Sequence, residues 1–321
     1  MTGEGSQNLT ISVAAGKGGT GKTLISTSLA QALVGSARVQ VLDCDVEEPN
    51  ADILLRPEIA SREQVDILVP EVNADRCIHC GKCAQVCQVS AIVVIRTAVL
   101  TFHDLCSGCG ACALACPTGA ITEVPMRVGE VATGQTGEGI QFVGGRLEVG
   151  HQRSGPVTKA VKRRVARSER RRSRETAERS PEHGGGVAEG RTAADMINII
   201  DAPPGTACPM QEAVADSDFC ILVTEPTPFG LANLREAVET CRRLEVPCGV
   251  IINRERGGWD EMDDYLTGER IEVLLRVPER REIAEAYSRG ETLVDADGHW
   301  RDELISVYER ITELAATQPV S

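Results

Sequence analysis

Two groups of residues in this sequence have types and spacings that suit chemistry. The first is the loop GKGGTGKT, which fits the phosphate-binding pattern G-x-x-x-x-G-K-[ST] and follows an apolar, β-branched segment. Glycines let successive backbone N–H groups converge on phosphate oxygens, while Lys22 can reach the β- and γ-phosphates and the Thr23 hydroxyl can bind Mg²⁺. The loop therefore predicts an ATP and Mg²⁺ site formed by Gly16, Lys17, Gly18, Gly19, Thr20, Gly21, Lys22 and Thr23.

The second group is a pair of cysteine runs, CIHCGKCAQVC from Cys77 and CSGCGACALAC from Cys106, which share the spacing C-x₂-C-x₂-C-x₃-C. The repeated spacing resembles that of bacterial two-cluster ferredoxins, in which the last cysteine of each run binds the other cluster. This resemblance implies two [4Fe–4S] clusters. One is expected on Cys77, Cys80, Cys83 and Cys116, and the other on Cys106, Cys109, Cys112 and Cys87.

Zinc and disulfides explain the two runs less well. Zinc sites normally use two separated pairs of ligands, and disulfides conflict with a cytosolic setting. The first run has Gln88 where the second has Pro117, a departure that affects packing but not the number of thiols. Each of the other cysteines is expected to be a small buried hydrophobic residue: Cys44, Cys208, Cys220, Cys241 and Cys248.

Composition and charge exclude several classes of function. The net charge of −13 argues against a general nucleic-acid-binding protein. The N-terminal residues lack the pattern of a secretory signal, and no apolar stretch approaches the ~18 residues that span a bilayer. We therefore expect a cytoplasmic protein with no membrane insertion.

Apolar strand-like segments alternate with helical ones in both the early and the late parts of the chain. This alternation predicts an α/β fold with a doubly wound, mostly parallel sheet. We expect an ATPase domain formed by residues 1–68 and 125–321, with an inserted small α+β ferredoxin module at 69–124. Glycine-rich residues 129–150 suggest short hairpins, and the basic segment at about 165–190 suggests a solvated loop.

The sequence KGGTGKT resembles the deviant phosphate loop of the MinD/ParA/Mrp ATPases, which include the nitrogenase iron protein. In that family the first lysine of this motif crosses a dimer interface and contacts the partner's ATP. The resemblance implies an ATP-dependent homodimer with Lys17 in that role, beside Lys22 in its own site.

Further segments resemble other motifs of the same family. DCD resembles the first switch segment, which implies that Asp45 orients the attacking water and Asp43 supports Mg²⁺. DAPPG resembles the second switch segment, which implies that Asp201 binds Mg²⁺ through a water molecule and that Gly205 lies near the γ-phosphate. The segments VIINR and RVPER resemble those that form the adenine pocket in this family. The resemblance implies that Asn253 and Pro278 contact the base.

The combination favours an iron–sulfur ATPase whose slow hydrolysis is coupled to electron transfer, with an unidentified redox or cluster-accepting protein as partner. One alternative is an assembly or carrier ATPase, although the C-x-x-C of Mrp-type carriers is missing at Cys241 and Cys248. The other is a MinD-like positioning switch with redox sensing. We interpret WRDELISVYERITELAA as a closing helix and Cys208 as a buried structural thiol, with a metal bridge between two subunits as the alternative for that residue.

Overall fold

The computed structural model describes residues 8–151, 153–165 and 196–317. The chain divides into two compact units. Unit 1 contains Met1–Arg62, Val131–Arg146 and Thr158–Ser321, and unit 2 contains Glu63–Glu130 and Leu147–Val157. The basic segment expected at about 165–190 lies outside the described residues, apart from residue 165.

Eleven strands are found in the described part of the chain: β1 (Leu9–Ala14), β2 (Arg38–Asp43), β3 (Glu58–Val72), β4 (Ile92–Ile95), β5 (Ala98–Thr101), β6 (Ile121–Gln135), β7 (Gln141–Leu147), β8 (Met196–Asp201), β9 (Phe219–Thr224), β10 (Cys248–Glu255) and β11 (Val273–Pro278). The helices described there are α1 (Lys22–Ala32), α2 (Ala51–Leu55), α3 (Lys82–Val86), α4 (Ala111–Ala115), α5 (155–165), α6 (Cys208–Val214), α7 (Pro228–Arg243), α8 (Asp260–Gly268), α9 (Arg281–Ser288), α10 (Leu293–Ala296) and α11 (His299–Thr317).

The main sheet has the strand order β11-β10-β9-β1-β8-β2-β7-β6-β3. All the pairs from β11 to β7 along this order are parallel. The predicted α/β fold with a mostly parallel sheet is therefore confirmed. The short hairpins expected at 129–150 correspond to one hairpin, in which the end of β6 and the neighbouring strand β7 of the main sheet are joined by a turn at 136–140.

The core of unit 1 is formed by aliphatic side chains from the sheet and from helices packed on it. Leu304 and Ile311 of α11 are fully buried together with Ile25 and Leu29 of α1. The apolar side of α11 therefore faces the protein interior, as expected for a closing helix. Burial of a leucine-sized side chain contributes about 1.5–3 kcal/mol, so this contact is a substantial part of the stability of unit 1.

Unit 2 contains two halves that repeat with an offset of 29 residues, so that Cys77 corresponds to Cys106. Each half has a glycine of positive φ before a five-residue helix: Gly81 (φ 79°) precedes α3 and Gly110 (φ 71°) precedes α4. A side chain at either glycine would be strained in this left-handed conformation. An antiparallel hairpin of β4 and β5 follows the first half.

No helix in the described ranges is long and apolar enough to cross a membrane.

We expect Leu304→Ala to lower the free energy of unfolding by about 2–5 kcal/mol, because it leaves a cavity between α11 and α1. Glu303→Ala, on the exposed side of the same helix, should change it by less than about 0.5 kcal/mol. Urea denaturation followed by tryptophan fluorescence measures both variants, since Trp300 is buried in this core. Equal losses in the two variants would contradict the packing of α11.

Candidate functional site

The phosphate loop joins the end of β1 to the start of α1, where the helix N-terminus favours anions. Gly21 has φ 97°, and a Cβ on it would lie 2.4 Å from Asn253 Nδ2. A Cβ on Gly16 would lie 2.3 Å from the carbonyl oxygen of Asn233. Both positions require glycine for close contact, and Gly21 requires it for its backbone conformation as well. Lys22 is 6% exposed, so its ammonium belongs to an interior site.

Thr23 and Asp201, predicted to share the Mg²⁺ ion, lie side by side. The Thr23 hydroxyl donates to Asp201 Oδ2 at 2.7 Å. Asp201 Oδ1 is buried and has no hydrogen-bond partner within the described residues. Burial raises the pKa of Asp201 to about 6, while the Thr23 hydroxyl and Lys22 oppose that rise. A hydroxyl and a carboxylate with one unsatisfied, buried oxygen match the oxygen ligands that Mg²⁺ prefers.

The two aspartates of the first switch segment have different surroundings. Asp43 accepts hydrogen bonds from the backbone N–H groups of Asp45, Asn50 and Ala51 at 3.1–3.2 Å, so it holds the loop that follows β2. Burial, and secondarily the charge of Asp201, raises its pKa well above the usual range. Asp45 is near Lys22, and burial raises its pKa to about 6. The predicted catalytic role of Asp45 requires its ionised form, which predominates above that pH.

The second switch segment is attached to the phosphate loop by backbone hydrogen bonds. The Gly205 N–H donates to the Ala15 carbonyl at 3.0 Å, and the Cys44 N–H donates to the Asp201 carbonyl at 2.9 Å. A γ-phosphate contact by Gly205 therefore requires its N–H to leave Ala15. The predicted role of Gly205 therefore requires the second switch segment to move from the position that it has in this structure.

The side chain of Lys17, unlike that of Lys22, is partly exposed at the edge of the nucleotide site. Its ammonium forms an ion pair with Glu225 Oε2 at 2.8 Å, and Arg254 Nη1 contacts Glu225 Oε1 at 2.6 Å. Glu225 is the residue directly after β9, and its side chain is 12% exposed. One carboxylate thus neutralises two cations at the edge of the nucleotide site. A contact between Lys17 and a partner's ATP requires Lys17 to leave Glu225.

A cavity of about 270 Å³ lies beside the loop, at the ends of β10 and β11. Asn253 and Pro278 both line it, as predicted for residues that contact the base. The Asn253 amide donates to the Thr20 carbonyl at 2.7 Å and accepts from the Arg254 N–H at 2.9 Å. One amide hydrogen is thus available for a base. The partly exposed ring of Tyr287 forms another wall of this cavity.

The eight cysteines of the two runs line two separate cavities in unit 2. The first is lined by Cys77, Cys80, Cys83 and Cys116. The second is lined by Cys106, Cys109, Cys112 and Cys87. Each cavity thus takes three thiols from one run and the fourth from the other run, the grouping that the ferredoxin spacing implies. The first cavity is narrow, about 20 Å³, whereas the second is about 280 Å³.

Backbone amides are directed at the sulfur atoms in an equivalent way in the two halves. Ala91 N–H donates to Cys87 Sγ at 3.2 Å, and Ala120 N–H donates to Cys116 Sγ at 3.2 Å. The Thr118 hydroxyl lies 3.6 Å from Cys116 Sγ, and it is the main cause of the lowered pKa of this thiol. Such donors stabilise thiolates, which are the form that binds iron.

Among the residues that the structure describes, no three His, Cys, Asp or Glu side chains lie close enough together to hold a single metal ion. In a cubane cluster each thiolate binds a different iron, so its four sulfurs surround a volume instead of converging on one point. The cysteine cavities match this second arrangement in donor type and number.

The remaining cysteines are distributed between core and surface. Cys44, Cys220 and Cys241 are buried, as predicted, and Cys248 is half-buried. Cys208 is exposed at the start of α6, so the expectation of a buried structural thiol is wrong for this residue. Helix α6 packs through Met210, Ala213 and Val214, which leaves its first residue at the surface.

A family model described as the CobQ/CobB/MinD/ParA nucleotide-binding domain matches residues 11–294. The chain belongs to this family. The match begins in β1, includes the phosphate loop and both switch segments, and ends in α10. MinD/ParA proteins are P-loop ATPases, which assigns the chain to that enzyme class.

Two relatives in Methanocaldococcus jannaschii match nearly the whole chain. The uncharacterized protein MJ0578 is 28% identical over 305 residues, covering 94% of this chain and 96% of the relative. The uncharacterized protein MJ0579 is 25% identical over 290 residues, covering 90% and 93%.

Solved MinD structures have the same fold. The septum site-determining protein MinD of Pyrococcus horikoshii, complexed with Mg-ADP, has a TM-score of 0.54 at 18% identity and covers 98% of this chain and 100% of that one. A chain of the MinC:MinD cell division protein complex of Aquifex aeolicus has a TM-score of 0.53 at 15% identity, with 98% of each chain covered. These structures establish a MinD-like fold for this member of the family.

Three residues of this MinD/ParA site are missing from the sequence-based prediction: Glu225, Arg254 and Tyr287. Glu225 follows an apolar strand directly, and a charged residue at that position is a signal that sequence reasoning could have used. Arg254 follows the predicted Asn253. Tyr287 has no local signal, because only the packing of α9 brings it to the cavity.

We expect Gly21→Ala to weaken ATP binding at least about tenfold, because its Cβ would collide with the Asn253 amide. Gly35→Ala is the matched control, since Gly35 also has positive φ (90°) but nothing lies within 4 Å of its Cβ. Titration calorimetry with Mg-ATP measures both. Equal weakening would show that backbone strain alone, and not the Asn253 contact, explains the effect.

The raised pKa of Asp201 predicts a pH dependence of the nucleotide-free protein. A carboxyl with a pKa of about 6 in the folded state and 3.8 in the unfolded state destabilises the fold increasingly as pH rises through that window. Without Mg²⁺, Asp201→Asn should therefore raise the free energy of unfolding at pH 8 by on the order of 1 kcal/mol. Between pH 4 and 6 the variant should lose less stability than the wild type as pH rises.

Thermal unfolding with and without Mg-ATP provides the measurement. Mg-ATP should stabilise the wild type more than Asp201→Asn, and the exposed Asp302→Asn serves as the control. A nucleotide-free Asp201→Asn protein less stable than the wild type at pH 8 would contradict the buried-charge explanation.

Proposed function

We propose that this protein is an ATP-dependent electron-transfer protein, in which nucleotide binding and slow hydrolysis in unit 1 control redox chemistry at two [4Fe–4S] clusters in unit 2. The main support is the grouping of the eight cysteines into two cavities of four, with the fourth thiol of each taken from the opposite run. A structural zinc site needs only four ligands in one group, so zinc does not account for the exchange of a thiol between the two runs.

The clusters, when bound, supply one-electron redox chemistry. The protein contributes the thiolates of the two sets, the amide donors of Ala91 and Ala120, and the Thr118 hydroxyl near Cys116. Hydrogen bonds to the sulfurs and the apolar walls, such as Ile92 and Ile121, influence the potential of each cluster. Unit 2 is thus suited to hold two redox groups of fixed spacing within one module.

The nucleotide site suits slow hydrolysis. Lys22 neutralises phosphate charge, Thr23 and Asp201 hold Mg²⁺, and ionised Asp45 orients the attacking water. In its own chain Lys17 pairs with Glu225 and not with the nucleotide site. A second subunit is therefore needed for Lys17 to contact a nucleotide. ATP binding to two chains would allow Lys17 to exchange this carboxylate for the partner's phosphates, so the active form is an ATP-dependent homodimer.

The order of motifs along the chain supports coupling between the two activities. The cysteine runs lie in sequence between Asp45 of the first switch segment and Asp201 of the second. Both segments are attached to the nucleotide site, through Asp43 and through Gly205. A change in the γ-phosphate contacts can therefore alter the chain on both sides of the segment that carries the cysteine runs.

A MinD-like regulatory switch that senses redox state is the second candidate, because the fold is that of MinD. Its membrane-bound form has less support, since the apolar side of α11 is packed in the core. The carrier function also has less support, because Cys241 is buried and cannot present a cluster to an acceptor.

Anaerobic purification followed by iron and sulfide analysis tests the cofactor assignment. We expect about eight iron and eight sulfide ions per chain. Cys80→Ser and Cys109→Ser should each remove about half, and Cys208→Ser, an exposed cysteine outside both sets, should leave the content unchanged. Zinc in place of iron, or no metal, would overturn the proposal.

A redox titration with and without Mg-ATP then separates the two candidates. The electron-transfer function predicts that ATP shifts at least one cluster potential and doubles the molecular mass in solution, and that Lys17→Ala abolishes the doubling. Clusters whose oxidation changes the ATPase rate, with no effect of ATP on potential, would instead indicate a redox-sensing switch.

A further inference from the structure

The two cluster cavities of unit 2 are related by the 29-residue repeat. The helix after each glycine, the amide–sulfur hydrogen bonds and the strand that follows all recur: Ala91 N–H to Cys87 corresponds to Ala120 N–H to Cys116, at 3.2 Å in each case. The first residue of β4, Ile92, corresponds to the first residue of β6, Ile121. Differences between equivalent positions therefore show how the two sites differ chemically.

One such difference lies in the walls of the cavities. Val94 lines the first cavity, and its equivalent, Glu123, lines the second. Apart from the thiols, the ionisable side chains that line these cavities are His79 in the first and Glu123 in the second. A carboxylate thus stands beside the second set of cysteines where an isopropyl group stands beside the first.

The glycines before the two helices show the same difference independently. A Cβ on Gly110 would lie 3.2 Å from Glu123 Oε1, whereas nothing lies within 4 Å of a Cβ on the equivalent Gly81. The Glu123 carboxylate is therefore packed against the backbone between Cys109 and Cys112. Glycine at position 110 permits this close approach.

Charges elsewhere in the repeat act in the same direction. The first half has Lys82, directly before Cys83, where the second has Ala111. Arg76 donates to the Thr118 carbonyl in the first site at 3.1 Å, and Arg153 donates to the Leu105 carbonyl beside the second run, so each site has one arginine. Beyond these arginines, the first half has Lys82, His79 and Arg96 where the second has Ala111, Gly108 and Pro125, and the second half has Glu123 where the first has Val94.

We propose that Glu123 and Lys82 make the two clusters electrostatically different. Glu123 lowers the reduction potential of the cluster on Cys106, Cys109, Cys112 and Cys87, and Lys82 raises that of the cluster on Cys77, Cys80, Cys83 and Cys116. The inference rests on the proposed binding of two [4Fe–4S] clusters. Reduction adds one negative charge to a cluster, so a nearby carboxylate opposes it and a nearby ammonium favours it.

This difference bears on the direction of electron flow within unit 2. With both clusters bound, a single electron from a one-electron donor protein would be held more favourably at the cysteine set beside Lys82 than at the set beside Glu123, because Glu123 opposes the added negative charge and Lys82 favours it. Glu123 is exposed, so added salt reduces its contribution.

Redox titration of the full-length, anaerobically purified protein, monitored by electron paramagnetic resonance, tests the inference. Glu123→Gln should raise the lower of the two potentials and leave the higher one unchanged. Lys82→Ala should lower the higher one alone. Glu303→Gln removes an exposed carboxylate of unit 1 that lines neither cavity, and it should move neither potential.

The converse variant strengthens the test. Val94→Glu introduces a carboxylate at the equivalent position of the first cavity and should lower the higher potential, which brings the two potentials closer together. The shift caused by Glu123→Gln should decrease at high salt. The inference is wrong if Glu123→Gln changes neither potential, raises only the higher one, or shifts both equally.

Iron and sulfide analysis of each variant separates this inference from the proposed function. A protein without about eight iron ions per chain would fail the proposed function itself. A protein with full iron content and potentials insensitive to Glu123 and Lys82 would retain the proposed function and reject only the electrostatic difference.

Discussion

The nucleotide site depends on one hydrogen bond, from the Thr23 hydroxyl to the Asp201 carboxylate. It joins the first turn of α1 to the carboxyl end of β8, and thereby fixes the phosphate loop against the centre of the sheet. Strand β2 lies next to β8, so Asp43 and Asp201 are neighbours at the carboxyl ends of the two strands. They are close enough for their charges to interact. Buried acidic groups at this edge are unfavourable until a cation neutralises them. The site is thus arranged for a bound Mg²⁺–nucleotide.

Much of this arrangement could be predicted from the sequence. The phosphate loop is a local pattern, since its glycines, lysine and threonine act through the backbone that they share. The strands of unit 1 can be recognised in the sequence as continuous apolar runs, because parallel strands are buried on both faces. The grouping of Cys87 with the second run and Cys116 with the first is what the resemblance to two-cluster ferredoxins implies, and the cavities have the same grouping.

The parts that sequence reasoning missed depend on tertiary contacts. Nothing local shows that Glu225 neutralises both Lys17 and Arg254, because the three residues come from parts of the chain that are distant in sequence: the phosphate loop, the residue after β9, and β10. The Gly205 N–H is hydrogen-bonded to Ala15, a conformational state that sequence cannot specify. Cys208 was wrongly expected to be buried. Only the packing of α6 through Met210 and Val214 shows that the first residue of that helix is at the surface.

The exchange of one cysteine between the two halves of unit 2 has a consequence for the durability of the module. Neither cavity is complete without both runs, since Cys116 belongs to the first set and Cys87 to the second. If each set binds a cluster, oxidative loss of one cluster frees a thiol at the end of the run that holds the other. A break in the chain between Cys87 and Cys106 would likewise separate the ligands of both sites. With both clusters bound, damage at one site would therefore disturb the run that holds its neighbour, so the two halves form a single unit.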